Sequence, residues 1–521
     1  MFKQKFYLTV FTIYQLFSTA LIATGAWPAD LVYLNLAIQL AAILLFDLEH
    51  ALYSVVLTIP FYLAVPNPKF DSLSAWRFTF AALFAVFWWK YKYRGGQKIR
   101  GFAWDPSLVW LAAAIIISIA LEPFKTVGAK KLLFVVNAYL IYLVAYNLIT
   151  TKARIITFSK TIFTALAMIV LLGYVQFAGT FATTTYHFWQ YWATLISRAY
   201  YGKTLSDTLV YSNSWFSFYK NAPPALRMFS ILPDSHAFAV LAMFSMPFAA
   251  ALLFFTAEKW KKVLLWIFIA LAAAAISFSG TRGVWAGILA PLLVLIYLYA
   301  RHWGRKLIAP MFIPLVLFIV FLGASPLIQK GVNAIRSGTN TGNFIERASS
   351  IYNLNDPSNA GRIAIWKNTL QFAAKHPLFG AGFGDFVITL DQNNQPSASF
   401  QQLAQQKDQA YNLPKQYVTA HNLYLDFLAE TGLVGLVMFL FYLKEIFAAF
   451  WKFFKAHYLF AADGLIFLAV NLGLYLAWLF AYSLVDGTLL NDRVLMFFFL
   501  ILAISASIIR VYSEEHGENR N

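Results

Sequence analysis

The chain has 521 residues, of which 60% are hydrophobic, 18% aromatic and only 12% charged, with a mean hydropathy of +0.62. Soluble domains carry about 25% charged residues, so this composition excludes an ordinary globular enzyme; repeated apolar runs of about 20 residues define a polytopic membrane protein. The net charge of +17 belongs to loops that orient such spans rather than to a nucleic-acid surface, and the lack of cysteine excludes disulfides, thiolate metal sites and cysteine nucleophiles.

The expected fold is all-α, with about 12–14 transmembrane helices. Apolar runs fall at 6–25, 30–47, 50–65, 73–91, 107–121, 131–149, 157–178, 233–256, 263–279, 283–300, 307–324, 428–450, 462–484 and 491–511; 50–65 and 107–121 are short. Lys3 and Lys5 precede the first run, and Ala23-Thr24-Gly25-Ala26 loosely resembles a signal-peptidase site. Because the chain continues directly into further spans, 6–25 is read as a first span. Basic clusters at Lys90–Arg100, Lys152 and Arg154, Lys259–Lys262, Arg301–Lys306, and Lys452 and Lys455 all fall on the side of the amino terminus. The positive-inside rule then puts both termini in the cytoplasm.

Two long segments consequently face outward. Segment 179–232 carries His187-Phe188-Trp189-Gln190-Tyr191-Trp192 and Tyr200-Tyr201, residues suited to the headgroup level, and reads as a helix or loop lying in the interface. Segment 325–427 is too long for a structureless connection and should form an extracytoplasmic cap, with helices near 362–375 and 399–408. The expected division is therefore spans one to eleven in 1–324, the cap in 325–427, the last three spans in 428–511 and a polar cytoplasmic tail in 512–521. No internal repeat or matched pair of broken spans suggests an inverted-repeat transporter.

Three arginines stand at outward ends of different spans. Arg282, in Ser279-Gly280-Thr281-Arg282-Gly283, either snorkels from a helix end or ligates an anion, with the glycines permitting close backbone approach. Arg362 and Trp366 are four apart on one helical face, and Arg227 precedes the eighth span. Together the three guanidinium groups suit a lipid diphosphate, whose oxygens they can bind bidentately. His421, before the twelfth span, is either structural or a base for a hydroxyl proton, with Asn422 orienting it or the substrate. Pro233-Asp234-Ser235-His236 either caps the eighth span or lines the same cavity. The nearby carboxylates Asp385, Asp426 and Glu430 rank as solvated loop charges. Gly380-Ala381-Gly382-Phe383-Gly384 lacks the spacing and context of a dinucleotide fold and reads as a tight turn over the site. No cluster has metal-ligand spacing, so neither metal nor cofactor is expected.

In combination, Gly361-Arg362-x-x-x-Trp366, Pro377-Leu378-Phe379-Gly380-x-Gly382-x-Gly384-x-Phe386, Ala420-His421-Asn422-x-x-Leu425 and Glu430-x-Gly432-x-x-Gly435 resemble the signature of the O-antigen ligase/polymerase superfamily. Ser279–Gly283 is similar to its upstream arginine motif. The resemblance implies a bacterial inner-membrane glycosyltransferase acting at the outer face. It would take a glycan from undecaprenyl diphosphate to a hydroxyl of lipid A-core (ligase), of another lipid-linked glycan (polymerase) or of a protein (oligosaccharyltransferase). Arg282 and Arg362 would hold the diphosphate and His421 would activate the acceptor, with Arg227, His236, Trp366 and Asn422 as substrate-binding residues. The ligase is the leading expectation. A lipid-linked glycan transporter is the rival from another class, though it predicts ionisable residues inside several spans rather than at their ends.

Overall fold

The computed structural model describes residues 2–67, 73–121, 125–203, 206, 215–219, 222–335, 351, 353, 357–384, 386, 420–460 and 463–515. The expected helix at 399–408, Asp385 and the last residues of the tail lie outside these. The protein is an all-α polytopic membrane protein, and among the described residues ten helices are long and apolar enough to cross a bilayer.

The first half comprises α1 (Phe2–Ala23), α2 (Leu31–Leu45), α3 (Leu48–Thr58), α4 (Trp76–Phe87), α5 (Asp105–Leu121), α6 (Lys125–Leu148) and α7 (Lys152–Gly179). Each of the first seven apolar runs thus lies on a helix, but α2, α3, α4 and α5 are short. At about 1.5 Å per residue, the 15 residues of α2 cover less than a hydrocarbon core of about 30 Å. Local chemistry sets these limits. Asp47 caps α3 by accepting from the His50 backbone N–H at 2.9 Å, and Pro60 lies in the short 3₁₀ turn that follows it.

The aromatic outer segment holds α8 (Thr185–Tyr191) and a two-stranded antiparallel ribbon, β1 (Phe216–Tyr219) with β2 (Ala222–Leu226). The ribbon is absent from the sequence-based expectation. Trp189, Trp215 and Phe229 bury one another against it, so these large rings cover the segment's own small core.

The second half comprises α9 (Ser235–Phe255), α10 (Lys259–Phe278), α11 (Arg282–Gly287), α12 (Leu289–Ala300), α13 (Phe312–Ile335), α14 (Pro357–Lys375), α15 (Leu423–His457), α16 (Gly464–Tyr482) and α17 (Asp492–Glu515). Helix α13 runs past residue 324, and α15 begins before residue 428, because backbone hydrogen bonding does not stop where apolarity does. Helices α9, α16 and α17 are buried over 83%, 89% and 94% of their apolar stretches, against half or less for the other long spans. A helix that is apolar all round belongs inside a bundle, so these three form its centre.

Two buried arginines mark the bundle's opposite ends. Arg493, 1% exposed at the start of α17, donates to the Tyr201 hydroxyl at 2.9 Å and the Tyr62 carbonyl at 2.8 Å. It therefore joins the loop after α3, the outer segment and α17 at one end. At the other end Arg510 donates to the Ile149 carbonyl at 2.9 Å, beside the Lys152–Glu515, Arg100–Glu514 and Arg154–Glu49 ion pairs. Arg100, Lys152 and Arg154 belong to the basic clusters read as cytoplasmic, so they gather at the end away from Arg493.

Candidate active site

His421 occupies a loop held from every side. The Trp366 indole donates to the Ala420 carbonyl at 3.0 Å, and the Ala420 N–H donates to the buried Asp426 carboxylate at 2.8 Å. The Asn422 side chain accepts from the backbone N–H groups of Tyr424 and Leu425, at 3.0 and 3.1 Å, and so caps α15. The Leu423 N–H reaches the Ser483 carbonyl at 2.9 Å, tying the loop to the end of α16. Between these anchors His421 adopts φ +49°, a left-handed conformation that side-chain-bearing residues rarely take. Its imidazole is half exposed and its Nδ1 stands 3.7 Å from Oδ2 of Asp486.

Asp486 lies in the turn between α16 and α17 and is 7% exposed. The same Oδ2 faces Nδ1 of His236 at 3.1 Å, and that nitrogen also meets the Tyr482 hydroxyl at 2.8 Å. The other carboxylate oxygen accepts from the Thr488 hydroxyl, which is 3.2 Å from that of Tyr482. Burial alone would push the Asp486 carboxyl up. The facing His236 charge and the N–H groups of both imidazoles outweigh it and hold the carboxyl well below the usual carboxylate range. One anionic group thus organises two histidines from distant parts of the chain.

The motif Pro233–His236 caps its helix and also brings a histidine to Asp486. Asp234 caps α9 by accepting from the Ala237 N–H at 2.7 Å, while His236, two residues on, enters the carboxylate network. Burial raises the Asp234 carboxyl; His236 and the backbone N–H groups oppose that shift, and nearby Asp486 adds to it.

The arginines come towards this network from different elements. Arg227 donates to the Ser217 hydroxyl at 3.1 Å and to the Ser235 hydroxyl at 3.3 Å, which places it beside His236. The Thr281 hydroxyl donates to the Ser235 carbonyl at 3.2 Å, and the half-buried Arg282 follows directly as the first residue of α11. Close packing is required there: a Cβ on Gly283 would come within 2.7 Å of Val485 and 2.8 Å of the Tyr482 ring. Arg362 is half buried on α14 and lies within electrostatic reach of the Tyr482 hydroxyl. Trp366 and Asn422 use their indole N–H and side-chain carbonyl, respectively, to hold the His421 loop.

The glycine-rich turn docks into a break in α15. Gly432 has φ +64° inside that helix, and the Leu433 and Val434 N–H groups donate instead to the Pro377 and Leu378 carbonyls, at 2.8 and 3.1 Å. In return the Ala381 and Gly382 N–H groups donate to the Ala429 and Glu430 carbonyls, at 2.9 and 3.0 Å. The backbones touch: a Cβ on Gly380 would sit 2.3 Å from the Glu430 carbonyl carbon, and one on Gly432 would sit 2.3 Å from Leu378. Glu430 is no loop charge; it is buried and paired with Lys131 of α6 at 2.6 Å. The turn is therefore the joint between the α14 segment and the membrane helix that follows His421.

Asp486, Tyr482 and Thr488 were not singled out by sequence reasoning. The only signal for them is a lone acidic residue in Ser483-Leu484-Val485-Asp486-Gly487-Thr488, a short polar turn between two strongly apolar runs. Among the described residues no group of three or more His, Asp or Glu side chains is placed to hold a metal ion.

Fold and site define a polytopic membrane protein with a histidine–carboxylate network at one end of its bundle. Residues 267–440 match the family model described as O-antigen ligase, a domain match that supports the O-antigen ligase/polymerase superfamily, a group associated with membrane glycosyltransferases. The matched stretch contains Arg282, Arg362, Trp366, His421 and Asn422, while Arg227, His236 and Asp486 lie outside it. No curated protein matches the chain.

Proposed function

We propose that the protein transfers a glycan from undecaprenyl diphosphate to an acceptor hydroxyl at the outer face of the bacterial inner membrane, with lipid A-core as acceptor. The observation that carries this reading is the pairing of the half-exposed His421 with the buried, ionised Asp486, with Arg227 bonded beside His236 and Arg362 within electrostatic reach of Tyr482. The acceptor oxygen attacks the anomeric carbon, the carbon–oxygen bond to the diphosphate breaks, and the acceptor proton passes to Nε2 of His421. Asp486 faces the opposite nitrogen, holding the ring in one orientation and stabilising the imidazolium that forms. A diphosphate is already a good leaving group, so the main demand is stabilisation of its growing charge, which Arg282 and Arg362 supply. A single displacement of this kind inverts the anomeric centre.

The test is incubation of purified, reconstituted protein with undecaprenyl-diphosphate glycan and candidate acceptors. Glycosylated lipid A-core supports the ligase reading. A lengthened lipid-linked chain makes the protein a polymerase, and a glycoprotein makes it an oligosaccharyltransferase. Movement of the lipid-linked glycan across vesicles with no covalent product overturns the enzymatic reading.

A further inference from the structure

Arg77, in the first turn of α4, and Lys130, in the second turn of α6, stand at the Asp486 end of the bundle. The contacts place them there. The Ala75 N–H donates to the Leu63 carbonyl at 3.0 Å, beside the Tyr62 carbonyl that Arg493 holds, and Lys131, next to Lys130, pairs with Glu430 of α15. This is the end away from the basic clusters, where the positive-inside rule makes cations scarce. Among the described residues the nearby carboxylates are already engaged: Asp492 is within electrostatic reach of Arg77 but lies 3.4 Å from Arg493, and Glu430 is taken by Lys131. Neither Arg77 nor Lys130 has a described carboxylate within ion-pair distance.

Arg77 is fixed in place. The Asn137 side chain of α6 donates to its carbonyl at 2.9 Å, and its guanidinium carbon lies 5.7 Å from the centres of both the Trp76 and Phe134 rings, which meet edge to face. Its Nε is shut in without a partner, so Nη1 and Nη2 form the reachable edge, and no described protein group bonds them. Two rings thus orient a planar fork that matches two oxygens of one phosphate, with little left to order on binding. Lys130 is exposed one helical turn before Phe134 on the same face of α6, so a second charge stands alongside. The surroundings are apolar: Phe78 and Leu133, 41% and 64% exposed, flank the pair on α4 and α6. A cationic edge framed by exposed apolar side chains suits a molecule that joins an anionic head to apolar chains. We infer that the α4–α6 edge binds the phosphate of an anionic phospholipid on Nη1 and Nη2 of Arg77, with Lys130 as the second cation. The inference is independent of the glycosyl-transfer reading.

The test titrates the full chain, purified in detergent, with phosphatidylglycerol or phosphatidylcholine and counts retained lipid by native mass spectrometry. The wild type is expected to hold its first phosphatidylglycerol about 10-fold more tightly than phosphatidylcholine. Arg77→Gln should weaken that binding about 10-fold and Lys130→Gln about 5-fold, with phosphatidylcholine binding unchanged in both. Lys125→Gln removes the same charge from the same end, but from the opposite face of α6 at about 3.6 residues per turn, and should change neither lipid's binding. Lys125 and Lys130 are both exposed, so their comparison stands even if Arg77→Gln fails to fold. Equal retention of the two lipids by the wild type, or equal losses in Lys125→Gln and Lys130→Gln, overturns the inference. Inorganic phosphate that raises the unfolding midpoint of the wild type while no phosphatidylglycerol is retained overturns the lipid assignment and gives the edge to a soluble anion.

Discussion

Trp366 donates its indole N–H to the carbonyl of Ala420, so the helix that carries Arg362 also holds the residue next to His421. The anion-facing and base-bearing parts of the proposed site are thereby one mechanical unit. Trp366→Phe keeps the ring and removes the bond, which is worth about 0.5–1.5 kcal/mol. Glycan transfer is expected to fall about 3- to 10-fold in kcat, with folding retained; a change confined to KM would place Trp366 against the substrate instead.

His421→Ala removes the proposed base and should lower kcat on the order of 100-fold or more while the protein still inserts. Asp486→Asn keeps the shape but not the charge that orients the ring, and a loss of comparable order is expected. The double variant should be little worse than either single one, because the two residues act as a unit. Single-turnover kinetics on the three variants checks this; multiplicative losses would mean that the two groups act separately.

Arg282→Ala and Arg362→Ala are each expected to cost about 100- to 1,000-fold in kcat if they stabilise the leaving diphosphate. Lysine at either position restores the charge without the planar fork and should recover only part of the rate. Full activity in both alanine variants, measured with the lipid-linked donor, would remove the arginines from the mechanism.

Gly432→Ala should destabilise by about 2 kcal/mol or more, since its backbone is left-handed and its Cβ would fall 2.3 Å from Leu378. Gly361→Ala meets no atom within 4 Å and lies in α14, so it should be neutral or slightly stabilising. Thermal unfolding in detergent separates the two, although both glycines belong to the same sequence signature.

Asp486 also predicts an acid limit. Its folded-state carboxyl lies well below the ordinary unfolded value of about 3.9, so its contribution to stability is complete above that value and is lost as pH falls towards the folded one. The midpoint difference between wild type and Asp486→Asn should shrink as pH falls below about 4.

Composition and hydropathy alone determined that the protein is a bundle of membrane helices, because apolar length is a local property of the chain and the bilayer reads it directly. The residues of Gly361–Gly435 likewise carry the resemblance to a superfamily, which the domain match at 267–440 supports, and the two polar breaks at Gly280–Arg282 and Pro233–His236 pointed to one end of the bundle. The partners of those residues came only from tertiary structure. Asp486 is unremarkable in sequence, and its significance arises because α9, α15 and α16 bring His236, His421 and Tyr482 to one turn. The same holds for the glycine run: its sequence indicates a tight turn, but the break at Gly432 into which it fits lies on another segment. Pairing across the bundle depends on how the helices pack, and helix packing is written in the shapes of many side chains at once rather than in any one stretch.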